Sequence, residues 1–320
     1  MAEKKFWFIS AAILAASLFT TGARAESKLE FPGTAPGDAR SIMLDEELIL
    51  QNKLIWCIWS MPEGGGLKPL YVRNKLTKRT IRMQDTQCFQ IILEGGQVIK
   101  ASELKIVGMP KLERLEPNSE SCRLAERFGG RQISVTLASS NNNLEVEWRA
   151  ILRNGSNYVR QELTLTATSK PIKIEEIVLL ELDEPNAKVM GTVDGSPVVV
   201  GNMFFAYEHP LSKSQKSEVR NQSLSSVVCP LTSGISFRCS LPYMILLKPG
   251  EPIVHSSVIG VVPQGQLRRG FLYYVERERA HPYRPFLHYN SWYDIGYGAE
   301  KILEHEFLDI IELFGNELTE

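Results

Sequence analysis

The sequence has little of what marks a metal-binding, nucleotide-binding or nucleic-acid-binding protein. Its five cysteines form no C-x-x-C pair, which gives a thiolate metal site little support. It contains no phosphate-binding glycine loop, no dinucleotide fingerprint and no G-x-S-x-G nucleophile motif. The formal net charge is −1, without the clustered basic excess that nucleic-acid binding requires. We therefore expect no cofactor, no metal ion and no nucleic-acid partner.

Long hydrophobic runs are also missing, apart from a short one at the start. Residues 1–25 contain Lys4 and Lys5, an apolar run from Phe6 to Phe19, and an Ala-x-Ala site that ends at Ala25. These are the three parts of a secretory signal peptide, and the run is shorter than the about 20 apolar residues of a membrane span. The sequence predicts cleavage after Ala25, export to the periplasm or the extracellular space, and no stable membrane insertion. An uncleaved membrane anchor is the alternative.

Alternation of apolar and polar residues is the dominant pattern of the chain. It is clearest between residues 132 and 182, where Asn141–Asn143 and Asn154-Gly155 provide turns. Such alternation is typical of a large antiparallel β-sandwich in which one face of each strand is buried. We assign 51–280 to the sandwich and 26–50 to a linker and an entry strand. The side chains predicted to be buried here are Ile133, Val135, Leu137, Leu144, Val146, Trp148 and Ala150.

Shorter apolar segments extend the predicted sandwich on both sides of this region. Strands are predicted at Leu54–Trp59, Phe89–Leu93, Gln97–Lys100, Tyr158–Thr168, Ile172–Leu182, Pro197–Ala206, Val254–Val262 and Gly270–Val275. The charged segment Glu276–Arg279 follows, and on a strand its two carboxylates would share a face. They would form either a ligand pair or part of an exposed, salt-bridged edge.

One segment of the predicted sandwich joins aromatic side chains to a carboxylate and an imidazole. Phe204, Phe205 and Tyr207 precede Glu208 and His209 in the sequence. Because aromatic side chains chiefly bury area, we expect the three rings in the core or at an interface, with Glu208 and His209 at the rim. In the concavity of a sheet, the last two could instead act as an acid–base pair that opens a sugar ring.

The cysteines and the other histidines allow less specific predictions. Cys229 and Cys239 flank a Pro–Gly turn, so in an oxidising compartment they could cross-link a hairpin. The alternative is two unrelated buried thiols, since cysteine is among the most buried residue types. His255 and His305 stand alone in the sequence, whereas a metal site needs a cluster of ligands.

The pattern of apolar and polar residues changes after residue 280. Phe286–Ile295 is apolar enough for a strand covered on both faces. Ala299–Phe314 carries an apolar stripe at helical spacing, and Gly315 would end that helix. A strand followed by a helix is the repeating unit of a (β/α)8 barrel, and one unit cannot close a barrel. We therefore predict that 281–320 is the first unit of a barrel whose remainder would follow residue 320.

Polar and aromatic residues at the end of the predicted barrel strand are the main candidates for substrate binding. Barrel enzymes build their sites where strand ends and the following loops converge. Trp292 and Tyr293 offer flat apolar faces that suit a sugar ring, while Asn290 and Asp294 could bind its hydroxyl groups. The alternative is that Trp292 fills the barrel core and Asp294 caps the following helix.

The run His288–Asp294 resembles the first barrel strand of the α-galactosidase and raffinose-synthase group of glycoside hydrolases. Those proteins place a large β-sandwich of the galactose-mutarotase-like kind before the barrel, in the order found here. The resemblance implies retaining hydrolysis by two carboxylates about 5–5.5 Å apart. In that group both carboxylates are on later barrel strands, so we assign no catalytic residue and expect the chain alone to be inactive.

Three functions remain open from the sequence. The first is the front portion of an exported α-galactosidase-like hydrolase that acts on galactoside-like oligo- or polysaccharides. The second is a secreted β-sandwich that binds carbohydrate without cleaving it, and the third is an interaction sandwich with no role in sugar binding. The terminal helix favours the first, because leaving its apolar stripe exposed in a self-sufficient sandwich would forfeit several kcal/mol at about 25 cal/mol per Å². If the strand and helix instead pack back on the sandwich, the second is favoured.

Overall fold

The structure is a computed structural model that describes residues 29–139, 141, 143–216, 237–281, 289–296 and 303–318. The chain divides into two compact units, Met1–His281 and Pro282–Glu320. The described part of the first unit contains three sheets, and that of the second contains a short turn and a helix. Neither of the α-helices in the described residues is long and apolar enough to span a bilayer.

The first unit is built mostly of strands, followed by a helix. In chain order the strands are β1 (Arg40–Leu44), β2 (Glu47–Gln51), β3 (Ile55–Ser60), β4 (Lys68–Asn74), β5 (Arg79–Arg82), β6 (Gln90–Leu93), β7 (Val98–Lys100), β8 (Lys105–Ile106), β9 (Lys111–Leu115), β10 (Gly130–Ser139), β11 (Leu144–Arg153), β12 (Tyr158–Ala167), β13 (Ile172–Leu182), β14 (Lys188–Val189), β15 (Val198–Val200), β16 (Met203–Tyr207), β17 (Lys213–Lys216), β18 (Phe237–Leu241), β19 (Ile245–Leu247) and β20 (Ile253–Val261). Helix α1 (Leu267–Glu278) follows β20.

Three antiparallel sheets surround a common core. The largest has the order β14-β15-β16-β20-β12-β11-β10, and both β8 and β9 pair with β10. Strands β1 to β5 form a meander, and the third sheet contains β17, β18, β13, β6, β7 and β19. Buried side chains from all three sheets form one hydrophobic cluster, so the other two sheets cover the inner face of the large one. The predicted mainly β, antiparallel fold is confirmed, and its layers are those of a sandwich.

The region between residues 132 and 182 folds into the strands that its alternation predicts. Strands β10 and β11 form a hairpin, and all seven alternating side chains named above are fully buried. Asn143 and Gly155 have φ angles of 56° and 75° in the two turns, a left-handed conformation that asparagine and glycine tolerate best. Trp148 packs edge-on against Trp59 with 5.0 Å between ring centroids, which joins the large sheet to the meander.

The segment 26–50, predicted as a linker and an entry strand, contains two strands rather than one. Strand β1 lies within it and β2 begins within it, and β2 pairs with both β1 and β3. Leu48 and Leu50 of β2 are fully buried, so the sandwich begins ahead of residue 51. The segment Pro197–Ala206 also differs from its prediction as one strand. Gly201 takes a φ of 58° and turns the chain between β15 and β16.

The prediction of a strand at Gly270–Val275 is wrong, because these residues lie in α1. A short apolar run fits either structure, and here its spacing places Phe271, Tyr274 and Val275 against the outer face of the large sheet. Phe271 packs edge-on against Phe204 with ring centroids 5.1 Å apart. The helix lies close to the sheet: a Cβ on Gly270 would be 2.3 Å from Cγ1 of Val262.

The second unit differs in part from the predicted barrel unit. Residues 286–288 of the predicted strand lie outside the described residues, and Ser291–Tyr293 form a 3-10 turn rather than a strand. The Asn290 side chain accepts a hydrogen bond from the backbone N–H of Trp292 (3.1 Å), a local contact that favours a turn. The described residues of this unit therefore show no strand that would begin a barrel.

The terminal helix is confirmed, but its limits are not. Helix α2 runs from Glu304 to Leu318, whereas residues 299–302 of the predicted helix lie outside the described residues. Gly315 lies inside the helix and does not end it, because it lacks the positive φ of a glycine cap. Its exposed apolar side chains include Phe307, Leu308 and Ile311.

Candidate functional site

A cleft lies between α1 and the outer face of the large sheet, with a volume of about 320 Å³. We call it the Arg160 cleft and define it by Arg123, Arg160, Glu208, Ser256, Tyr274 and Glu278. A second cavity, among Trp59, Met83 and Gln161 in the core, has a volume of only about 10 Å³. That volume is at the lower limit for one water molecule, so the Arg160 cleft is the larger candidate for a ligand.

The strand and helix periods bring the polar groups of the cleft together. On β12, Arg160 and Glu162 alternate with buried residues of the inner face, and Glu162 pairs with Ser256 of β20. On α1, Tyr274 and Glu278 are four residues apart and therefore share one side of the helix. Glu208 directly follows β16, and Arg123 directly precedes a 3-10 turn at Leu124–Arg127.

Arg160 occupies the middle of the cleft and is held by three partners. Its Nε donates to Oε2 of Glu208 (2.6 Å), its Nη2 donates to Oγ of Ser256 (3.0 Å), and its Nη1 is paired with Glu162. The side chains of Arg160, Glu208 and Glu162 are only 12–14% exposed. Burial opposes the charge on Arg160, but the carboxylates of Glu208, Glu162 and Glu278 outweigh it and raise the pKa of the guanidinium.

Each of two carboxylates in the cleft accepts a hydrogen bond from a tyrosine. The hydroxyl of Tyr274 donates to Oε1 of Glu208 and that of Tyr158 to Oε1 of Glu278, both at 2.6 Å. The two tyrosine rings pack edge-on with centroids 5.0 Å apart. Burial raises the pKa of both tyrosines, and the neighbouring carboxylates raise it further. The two hydroxyls therefore remain protonated and act as donors.

Glu278 differs from Glu208 in what surrounds its second oxygen. Oε2 of Glu278 is 4.0 Å from Nε of Arg160 and 3.7 Å from Nη1 of Arg123, beyond hydrogen-bond distance. Burial raises the pKa of Glu278, although the hydrogen bond from Tyr158 and the charge of Arg160 act against it. Glu208, in contrast, has close partners on both oxygens. Both oxygens of Glu208 therefore have hydrogen-bond partners, whereas Oε2 of Glu278 has no partner at hydrogen-bond distance among the described residues.

Sequence reasoning placed Glu278 on a strand, and this prediction is wrong. Glu276 and Glu278 lie at the end of α1, so they face different sides. Glu276 pairs with Arg279 at 3.1 Å, while Glu278 turns into the cleft. The i, i+4 spacing of Tyr274 and Glu278 was the available signal, and it becomes meaningful only once the segment is known to be helical.

The predicted core rings and the predicted rim residues can be located individually. Phe204, Phe205 and Tyr207 are fully buried, as predicted. Glu208 enters the Arg160 cleft, but His209 lies near Tyr207, with ring centroids 6.5 Å apart. Because Glu208 and His209 contact different groups, an acid–base role for the two as a pair stays a prediction.

His209 has a neighbour that the sequence did not indicate. The His255 ring centroid is 6.5 Å from that of His209 and 5.9 Å from that of Tyr207. Burial, with the adjacent His209, lowers the pKa of His255 to about 4. In the described residues, no group of three or more His, Cys, Asp or Glu side chains is arranged to hold a metal ion.

The predicted sugar-binding residues lie in the turn of the second unit. Trp292 is 62% exposed, and the hydroxyl of Tyr289 donates to Oδ2 of Asp294 (2.6 Å). Asp294 therefore bonds within the turn and does not cap α2, which begins ten residues later at Glu304. Asn290 holds the backbone of the turn through the hydrogen bond described above, and Tyr293 is the last residue of the turn.

The predicted disulfide involves one residue outside the description. Cys239 is buried on β18, and its Sγ is 3.6 Å from Oγ of Ser214. Burial raises its pKa to about 11. Cys229 lies outside the described residues, so its cross-link to Cys239 stays a prediction.

Comparisons with known proteins give structural similarity without sequence similarity. No protein-family model and no curated protein matches the chain. It is similar to a GH36 α-galactosidase of Geobacillus stearothermophilus, with 10% identity over 71% of this chain and 41% of that chain, and a TM-score of 0.45. A variant of a second GH36 α-galactosidase of that organism, in complex with stachyose, has 10% identity over 75% and 42% of the chains and a TM-score of 0.44. Heparinase III has 12% identity over 73% and 38%, and a TM-score of 0.41. This chain thus spans about two fifths of each, and similarity at this level does not define a function.

Proposed function

We propose that this chain is the front portion of an exported carbohydrate-active enzyme of the α-galactosidase-like type. Its first unit would be the galactose-mutarotase-like sandwich that precedes the barrel in that group, and its second unit would contribute sugar contacts at the start of the barrel. The catalytic carboxylates would lie outside these 320 residues. Residues 1–25 would direct export and be removed, which N-terminal sequencing of the exported protein tests.

The exposed Trp292 beside a hydrogen-bonded tyrosine–aspartate pair is the observation on which the proposal rests. A flat indole ring can cover the apolar face of a sugar, and the Asp294 carboxylate has lone pairs left for hydroxyl groups. The turn fixes these groups locally through Asn290. This arrangement supports saccharide binding and leaves the sugar and the linkage open.

Titration of the full chain with galactosides by calorimetry tests the proposal. Trp292→Ala removes the ring and should weaken binding about two- to tenfold, since ring contacts contribute about 0.5–1.5 kcal/mol beyond their buried area. Tyr243→Ala is the matched control, because Tyr243 is equally exposed (61%) but lies in the first unit. Unchanged binding by Trp292→Ala, or no binding of any galactoside by the parent chain, would contradict the proposal.

A free-standing, secreted carbohydrate-binding sandwich is the second candidate. It is favoured by the Arg160 cleft, which lies wholly within the first unit. The two candidates predict different activities for a longer protein that includes this chain. Turnover of aryl α-galactosides by such a protein would support the hydrolase, whereas binding without turnover would support the second candidate.

A further inference from the structure

The Arg160 cleft has one donor and one acceptor whose hydrogen-bonding capacity is not used. Within the described residues, the guanidinium of Arg123 makes only long contacts, at 3.7 Å to Glu278 and 3.8 Å to Glu126. Oε2 of Glu278 has no closer cation than Arg123. A group that lies beside this 3.7 Å gap and bonds to both atoms would need to accept from Arg123 and donate to Glu278. A hydroxyl group does both, whereas a carboxylate, sulfate or ammonium group does only one.

The charges around the cleft select against an ionic ligand. Every guanidinium group that lines the cleft, on Arg123, Arg160 and Arg279, has a carboxylate partner, and Glu208 and Glu278 each have a guanidinium partner. A charged ligand would bring an additional, unpaired charge into this partly desolvated site, close to Glu278 if it is an anion and to Arg123 if it is a cation. An uncharged ligand leaves the three ion pairs intact.

The remaining walls suit a compact ring with several hydroxyl groups. Oγ of Ser256 accepts from Arg160 and still has its own proton to donate. Val275 provides an apolar surface in the same cleft. The volume of about 320 Å³ lies at the lower end of the range of about 300–1,000 Å³ that small-molecule pockets occupy.

We infer that the Arg160 cleft binds an uncharged saccharide, with one ring hydroxyl bridging the Arg123 guanidinium and the Glu278 carboxylate. The site shares no residue with the turn that carries Trp292, and it is a second place at which this chain contacts sugar. The choice of a saccharide among uncharged polyols rests on the proposed function. The bridge itself rests on the geometry of Arg123 and Glu278 alone.

Two variants of the full chain test this inference. Arg123→Ala removes the donor at the mouth of the cleft and leaves Arg160 with all of its partners. Val275→Trp fills the cleft from its apolar wall without changing a charge. The matched control is Arg114→Ala, which removes an exposed arginine of β9 that pairs with Glu116 at 3.0 Å. Thermal unfolding of each variant, followed by circular dichroism, establishes that it is folded.

Binding of galactose, raffinose, galacturonate and sulfate is followed by ligand-observed NMR and calorimetry. We expect the neutral sugars to bind to the parent chain. Arg123→Ala should weaken the binding of these sugars about three- to tenfold, and Val275→Trp should abolish binding in the cleft. Arg114→Ala should leave the affinity unchanged. Tighter binding of galacturonate or sulfate, or neutral-sugar affinity unchanged in both cleft variants, would overturn the inference. Binding that depends on Trp292 but not on Arg123 would overturn it while leaving the proposed function in place. Should Val275→Trp not fold, Arg123→Ala still decides between these outcomes.

Discussion

Replacing Arg160 with methionine should destabilise the sandwich strongly, because the guanidinium lies among three carboxylates whose side chains are only 11–13% exposed. Methionine replaces the apolar stem of the side chain but is shorter and cannot pair with Glu162, Glu208 or Glu278. Removing one partner of a buried ion pair costs about 3–5 kcal/mol, since the remaining charge is left uncompensated. A typical domain has about 5–15 kcal/mol of stability in total, so the loss would be a large share of it.

The neighbouring arginines decide where in that range the loss falls. Arg149 still pairs with Glu162, and Arg123 stays 3.7 Å from Glu278. Glu208 has no other cation within pairing distance among the described residues and keeps only the hydroxyl of Tyr274. We therefore expect a loss at the lower end of the range, about 3 kcal/mol at pH 7.

Urea unfolding of the parent chain and of Arg160→Met at several pH values measures this loss. Burial already raises the pKa of Glu278, and loss of the opposing charge of Arg160 raises it further, so in the variant this carboxyl binds its proton more tightly in the folded than in the unfolded state. The contribution of Glu278 to the stability of the variant is therefore fully present below the ordinary glutamate pKa and is lost as pH rises through its raised folded-state pKa. The difference from the parent should be largest at neutral pH and shrink on acidification.

An exposed ion pair provides the control for this experiment. Lys173→Met removes a cation whose pair with Glu94 (2.9 Å) is more than half exposed, so it should cost less than about 1 kcal/mol. If Arg160→Met costs as little as Lys173→Met, or if its cost is the same at acid and neutral pH, the cluster does not act as a buried charge network.

Two further predictions concern other parts of the first unit. Gly260→Ala should lower the free energy of unfolding by at least about 1–3 kcal/mol, because its Cβ would lie 2.0 Å from Cζ of Phe204. Gly315→Ala, where a Cβ meets no atom within 4 Å, should instead be neutral or stabilising, and equal urea midpoints for the two variants would argue against the tight contact. The pKa of His255 is lowered to about 4 in the folded chain, whereas in the unfolded chain it is about 6.5. As pH falls, His255 is therefore protonated in the unfolded state before the folded state, and stability is lost between about pH 6.5 and 4. His255→Gln should remove about 1–2 kcal/mol of that loss, allowing for partial exposure, and an unaltered pH dependence would show that another group causes it.

The hairpins of the large sheet were predictable because their sequence signals are local. Alternation fixes which side chains of β10 and β11 are buried, and Asn143 and Gly155 supply the turns. Helix α1 was not predictable in the same way, since its apolar run over 270–275 fits a strand as well as a helix. The segment folds as a helix because it packs against the outer face of the sheet, in particular against Phe204.

The cleft was less accessible to sequence reasoning than the fold. Glu208 was expected at a rim and does line the cleft, but its partners Arg160 and Tyr274 are 48 and 66 residues away in the chain. No local pattern links positions so far apart. Tyr158 and Glu278, separated by 120 residues, are a similar case. The candidate sugar contacts at Trp292 and Asp294 came from a short motif, and the surrounding turn differs from the strand that the motif suggested.

The wide spacing of the cleft residues along the chain has a kinetic consequence. In the chain, Arg123 precedes β10, β11, β12 and β20 of the large sheet, whereas Glu278 lies on α1, which follows β20. The cleft can therefore be assembled only after strands with large sequence separation have found each other, which is the slow class of folding event. During synthesis or refolding, we expect ligand binding to appear with the final phase, when α1 docks, and no earlier intermediate to be competent for it.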